Sequence, residues 1–183
     1  MIELKELTVT LGDKRVFDRY SAELPDKGIV IVSGESGIGK TTLLRVLCGL
    51  VKPENGMITG LSGRKISVVF QEPRLLEQLT ALENVALVSD RTKAEFLLNA
   101  LNMHDELHVK AASLSGGQKQ RVSLARAFAF SNDVVLLDEP FTGLDEHNKQ
   151  KAADLIRSAR LAVVVTHDPA DAALLNSNRK IQL

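Results

Sequence analysis

Four consecutive β-branched residues, Ile29-Val30-Ile31-Val32, pass through Ser33 into Gly34-Glu35-Ser36-Gly37-Ile38-Gly39-Lys40-Thr41, and apolar residues at helical spacing follow directly. Few folds accommodate that order of events. A short continuous apolar run suits a fully buried strand. The glycines free the backbone to curl, and a helix predicted over about residues 40–50 is closed by Pro53 and Gly56. Two later apolar runs end in the same abrupt way, residues 134–137 in Asp138-Glu139 and residues 161–165 in Thr166-His167. Such runs belong to central parallel strands covered on both faces, and their alternation with helices predicts a three-layer α/β core. Ligands of doubly wound sheets sit beyond the carboxyl ends of the strands. Three strands therefore deliver polar residues to one edge.

Around this core the periodicity is informative. Residues 2–10, 16–17 and 21–24 read as short strands, with turns at Gly12-Asp13 and Pro25-Asp26-Lys27-Gly28. Strands are predicted near 57–61 and 66–70. From Pro73 to about Ala129 the pattern becomes helical, over 79–87, 94–101 and 122–130, which predicts a helical insert between strands. A helix over 146–160, a short helix near Ala170 and an edge strand at Ile181 complete the reading. Repeats and low-complexity tracts are absent from the sequence.

At 183 residues the chain suits one domain with a sizeable core. Its 23 basic and 23 acidic residues balance, so wrapping nucleic acid by bulk charge is not expected. No apolar run approaches the roughly 20 residues of a membrane span, and the first residues lack a signal-peptide apolar segment. The expectation is a cytoplasmic protein that meets a membrane only through a partner. Cys48, among Leu43, Leu44, Val46, Leu47 and Leu50, reads as a small core hydrophobe.

The segment from Gly34 to Thr41 fits G-x-x-x-x-G-K-[ST] in the required context, after a strand and before a helix. Gly34, Glu35, Ser36, Gly37, Ile38 and Gly39 would turn their backbone N–H groups inward as an anion nest, helped by the positive helix end. Lys40 should reach the β- and γ-phosphates, the Thr41 hydroxyl should ligate Mg²⁺, and Thr42 should donate on the α-phosphate side. Asp138, last in its strand, would be the second carrier of Mg²⁺, through a water.

Between these elements lies Leu114-Ser115-Gly116-Gly117-Gln118, followed after the helix by Val134-Val135-Leu136-Leu137-Asp138-Glu139-Pro140. Together with the glycine loop, and in this order, these segments resemble the ATPase subunits of ABC (ATP-binding cassette) transporters over nearly the whole chain. The resemblance implies an α/β fold: a P-loop NTPase core of mostly parallel sheet, with an N-terminal antiparallel β subdomain and a helical subdomain inserted at about 73–129. It implies ATP and Mg²⁺ as ligands. It makes Glu139 the general base, His167 the histidine that bonds the γ-phosphate, and Gln71 the glutamine whose amide oxygen reaches Mg²⁺ and water. Asp145 matches the residue that contacts the opposite subunit. His104, His108 and His147 receive no role.

Ser115, Gly116 and Gly117 open a helix and so form a second anion site. One chain would then hold two phosphate-binding helix starts but one catalytic set. The family resolves this with a head-to-tail pair, in which each ATP lies between the cradle of one chain and the Ser115-Gly116-Gly117-Gln118 turn of the other. The second ATPase subunit could be a second copy or a close paralogue.

The chain departs from the family in two respects. Leu11 stands where an adenine-stacking aromatic is usual, which implies weaker ATP binding and looser base selectivity; Phe17 or Tyr20 could compensate. The insert is compact and the chain stops shortly after His167, so no built-in effector domain is expected. Apolar Leu75, Leu76 and Leu79, in the stretch that resembles nitrate- and sulfonate-type importers, either receive a permease or cap the helical core. The leading expectation is the ATPase of a small-solute importer bound to transmembrane permease subunits, peripheral on the inner face of the cell membrane, with no direct nucleic-acid contact. An exporter ATPase, a soluble member acting on ribosomes or DNA, and a regulatory module without turnover are the alternatives.

Overall fold

The computed structural model describes residues 1–177 and 179–183. Among them, β1 (Ile2–Leu11), β2 (Lys14–Leu24) and β4 (Asn55–Thr59) form an antiparallel sheet in the order β2-β1-β4. A second sheet is parallel throughout, in the order β5-β6-β7-β3-β8, from β3 (Gly28–Ser33), β5 (Ile66–Val69), β6 (Val134–Asp138), β7 (Leu161–Val165) and β8 (Arg179–Gln182). The helices are α1 (Lys40–Leu47), α2 (Ala81–Ala86), α3 (Arg91–Ala100), α4 (Gly116–Phe130), α5 (Glu146–Arg157) and α6 (Pro169–Leu174).

The continuous apolar runs are explained by two cores, one on each face of the parallel sheet. Alternate residues of a strand point to opposite faces. Val30, Val32, Val134, Leu136, Leu161, Val163 and Val165 pack with α1 and the antiparallel sheet. Ile31, Val135, Leu137, Ala162 and Val164 pack with the helices on the other side. Each fully buried Val, Leu or Ile contributes about 1.5–3 kcal/mol relative to exposure. A polar residue in β6 or β7 would forfeit that on whichever face it met.

Several boundaries differ from expectation for local reasons. The two predicted strands at 16–17 and 21–24 are one, because β2 pairs with β1 over its whole length around irregular registers. α1 stops at Leu47: Gly49 takes φ 78, its N–H bonds to Val46 O and the Leu50 N–H to Arg45 O, which closes the helix three residues early. α5 stops at Arg157, and the Arg160 N–H is claimed by Asn132 O as the chain enters β7. Cys48 is half-buried against the first core, and burial pushes its thiol up.

Between β5 and β6 lie α2, α3 and α4, packed on one another. Thr80 caps α2 in a reciprocal pair with Glu83, and Ser115 caps α4 in the same way with Gln118. These caps satisfy N–H groups that a helix start leaves unpaired, and they fix where each helix begins.

Candidate nucleotide and metal site

The loop leaving β3 is positioned by what surrounds it. Gly39 has φ 125, and a Cβ there would lie 2.7 Å from Val16 Cγ1, so glycine alone fits between the loop and β2. No side chain caps α1, whose first N–H groups are left for a ligand. Lys40 Nζ donates to Gly34 O and Glu35 O, both at 2.8 Å, arching over the loop. Glu35, Ser36, Gly37 and Ile38 are exposed, and Thr42 is buried. Lys14 Nζ donates to Gly37 O at 3.0 Å and ties the β1–β2 turn to the loop.

At the ends of β6 and β7 the predicted residues converge. The Thr41 hydroxyl donates to Asp138 Oδ2 at 2.6 Å. Thr41, Asp138 and Gln71 line one cleft of about 190 Å³ with Arg45, Phe70 and Arg74. A hydroxyl, a carboxylate and an amide are oxygen donors of the kind a hard cation takes, and Mg²⁺ uses few protein ligands beside water and phosphate. Glu139 has φ 50 and donates its N–H to Val165 O at 2.9 Å. Its carboxylate meets His167 Nδ1 at 2.8 Å. That hydrogen bond and the charge of Glu139 hold the His167 imidazole above its ordinary range, although the ring is 78% exposed.

The second helix start packs beside Gly143, in the segment that follows β6. Ser115 Oγ accepts the Gln118 N–H, and Gln118 Oε1 accepts the Ser115 N–H at 2.8 Å. Gln118 Nε2 donates to Glu106 Oε1 at 2.9 Å, so the side chain faces its own chain. Gly116 is open, whereas a Cβ on Gly117 would lie 2.3 Å from Gly143 O. Asp145 caps α5 through the Asn148 N–H at 2.8 Å, a bond that holds its carboxyl below the usual range. No hydrogen bond among the described residues joins the Ser115 turn to the Lys40 loop.

Residues 17–142 match the family described as ABC transporter. The chain belongs to the ABC transporter ATP-binding family. It is 37% identical over 183 residues to the aliphatic sulfonates import ATP-binding protein SsuB 1 of Paracoccus denitrificans (strain Pd 1222), covering 95% of this chain and 76% of the relative. It is 34% identical to a probable sulfate/thiosulfate import ATP-binding protein CysA of Chlorella vulgaris, covering 100% of this chain and 90% of that one. The dimeric post-hydrolysis structure of the ATP-binding cassette MJ0796, bound to ADP and Pi, superposes with a TM-score of 0.86 at 29% identity, covering 100% of this chain and 94% of that chain. This ABC cassette is thus an ATP-binding, ATP-hydrolysing domain with the P-loop fold.

Within the cassette, Leu11 sits where β1 turns, paired with Lys14 and 38% exposed. Phe17 and Tyr20 stack on each other at 5.1 Å, and Phe17 is buried. They pack in the sheet, as strand residues would. Of the three loop leucines only Leu76 is strongly exposed; Leu75 packs on the helical core and Leu79 is half-buried. Buried Asn84 grips this loop, accepting from the Leu76 N–H and donating to Leu76 O, Leu79 O and Thr80 O.

Lys14, Arg45 and Arg126 also reach the site, outside every motif of the sequence. Arg45 follows Thr41 by four residues, and that helical spacing was a usable signal. Arg126 donates to Pro73 O and Arg74 O just beyond Gln71, a contact between segments for which the sequence holds no spacing cue.

Proposed function

We propose that this cassette is the ATP-hydrolysing subunit of a membrane importer for a small solute of the sulfonate or sulfate class. The observation that carries the proposal is the convergence of Lys40, Thr41, Asp138, Glu139 and His167 on one sheet edge, with no hydrogen bond among the described residues joining the Ser115-Gly116-Gly117 turn to the Lys40 loop. The names of the relatives supply the solute class.

In this reading the chain is a single ABC ATPase domain with a helical subdomain at about 73–129. Lys40 exchanges its two loop carbonyls for phosphate oxygens, and residues 34–39 with Thr42 cradle the phosphates through backbone and hydroxyl donors. Thr41 and Gln71, with Asp138 through a water, would hold Mg²⁺, which would supply neutralisation of the charge that develops on the phosphates. Glu139 takes the proton of the attacking water, and His167, released from Glu139, donates toward the γ-phosphate. Ser115, Gly116 and Gly117, Gln118 through its backbone, and Asp145 serve the nucleotide held by a second ATPase subunit. Leu11 meets the base.

No helix among the described residues is long and apolar enough to cross a membrane. The proposed place is the inner face of the cell membrane, reached through transmembrane permease subunits that take Leu76. Affinity purification from solubilised membranes, followed by uptake assays in proteoliposomes, tests the proposal. A multi-span partner and ATP-dependent uptake are expected; recovery of ribosomes, DNA or an exporting permease would overturn it.

A further inference from the structure

Gln120 lies in the second turn of α4 and is 2% exposed, where an amphipathic helix would ordinarily bury an apolar side chain. A buried amide needs partners. Gln120 Nε2 donates to Pro140 O at 3.1 Å and reaches Glu139 O at 3.5 Å. Those carbonyls belong to the segment that carries the proposed base.

Glu139 is held in a left-handed conformation, φ 50, which is strained for a residue with a Cβ. Such a conformation persists only where its surroundings enforce it. On one side the Glu139 N–H is held by Val165 O at 2.9 Å. On the other, its carbonyl accepts from the Thr142 N–H at 3.3 Å and from Gln120. The same part of α4 touches this segment a second time, where Gly117 leaves no room for a Cβ against Gly143 O. Gly116-Gly117 therefore pack against Gly143, and Gln120 ties the same helix to Glu139 and Pro140.

We propose that Gln120 is a positioning residue for Glu139. It fixes the strained backbone that aims the carboxylate at His167, and it couples that aim to whatever seats on the Ser115 turn. The coupling half rests on the shared-site reading above; the aiming half acts within one chain and does not.

The test compares Gln120→Leu, which removes the donor at similar volume, with Gln120→Glu, which keeps the shape and sets an acceptor against two carbonyls. Thermal unfolding checks that each variant folds, and Gln120→Glu is judged alone if the leucine does not. With Mg²⁺-ATP, kcat should fall about 10- to 100-fold, a part of the roughly 10²- to 10⁴-fold that a general base supplies. ATP affinity should stay within about twofold, the pattern of an interaction made only in the transition state.

In a Glu139→Gln background, Gln120→Leu should cost no further turnover, because there is no base left to aim. Retained kcat in the folded variant, or losses that add in full, would overturn the inference. The Hill coefficient for ATP should drop to 1 in Gln120→Leu from a higher wild-type value. A wild-type coefficient of 1, with specific activity independent of protein concentration, would sink the shared-site reading and the coupling half. The single-chain comparison would then decide the aiming half.

Discussion

Thr41 Oγ1 donates to Asp138 Oδ2 at 2.6 Å, closing the end of β6 on the start of α1. The hydroxyl and carboxylate that share this proton are the two oxygens best placed to share a cation instead. Asp138→Asn keeps an oxygen acceptor and removes the charge. It should leave Mg²⁺-free ATP binding nearly unchanged and lower turnover by about 100-fold or more, the scale on which a Lewis-acid metal contributes. Titrating Mg²⁺ at fixed ATP checks this, and an unchanged half-saturation point would contradict it.

His167 and Glu139 meet at 2.8 Å, and their bond raises the imidazole above its ordinary value of 6.5. The pair favours the protonated ring. Its contribution to stability is fully present below the unfolded value and is lost as pH rises through the raised folded one. A ring-proton NMR titration of the nucleotide-free protein should place His167 above 6.5. Glu139→Gln should bring it back toward that value. The same variant should bind ATP and lose most turnover; full retained turnover would remove Glu139 from the role of base.

The two glycines of the Ser115 turn predict opposite results. A Cβ at Gly117 would sit 2.3 Å from Gly143 O, whereas one at Gly116 meets nothing within 4 Å. Gly117→Ala should cost about 1–3 kcal/mol, the usual price of overpacking, and lower Tm by several degrees. Gly116→Ala, in a helical conformation, should hold or raise stability by up to about 1 kcal/mol. If Gly116→Ala nevertheless loses turnover, the open space above it is where the nucleotide approaches. Paired thermal melts and ATPase assays separate the two effects.

These sites differ in how far the sequence reveals them. The edge of the parallel sheet was legible because β3, β6 and β7 are continuous apolar runs that stop at polar residues. Burial on both faces leaves such strands no other composition. The ends of α1 and α5 were less legible, because a Schellman turn at Gly49 and a carbonyl of Asn132 decide them rather than periodicity. Gln120 and Arg126 were invisible as site residues, since each acts on backbone carbonyls that the sequence cannot place. Of the apolar loop, the sequence could not tell that Leu75 turns inward while Leu76 stays 43% exposed.

Leu11, 38% exposed beside Lys14, offers an aliphatic surface where an aromatic ring would stack on a base. Phe17 and Tyr20 stack on each other at 5.1 Å. Base–aromatic stacking is worth about 1–3 kcal/mol in single-strand binding, and each 1.4 kcal/mol is about tenfold in affinity. Leu11→Tyr should therefore tighten ATP binding by about 5- to 150-fold and widen the preference for ATP over GTP. Calorimetry with both nucleotides measures this; unchanged affinities would show that the base lies elsewhere.

Ser115 tests whether one chain holds half of each site. Its hydroxyl caps α4 by accepting the Gln118 N–H, and its own N–H is answered by Gln118 Oε1. Replacing the cap costs about 0.5–2 kcal/mol, so loss of function alone would be ambiguous. Three substitutions resolve it. Ser115→Thr keeps the cap and should keep turnover. Ser115→Asp keeps the cap but sets a negative charge at the helix start, so it should melt like wild type and still lose ATP-driven dimerisation. Ser115→Arg blocks the turn with bulk and should abolish both dimerisation and turnover while a single chain binds ATP normally through Lys40. Sedimentation with ATP in the Glu139→Gln background reports dimerisation without hydrolysis. An aspartate variant that dimerises and turns over like wild type would mean that no phosphate meets this turn.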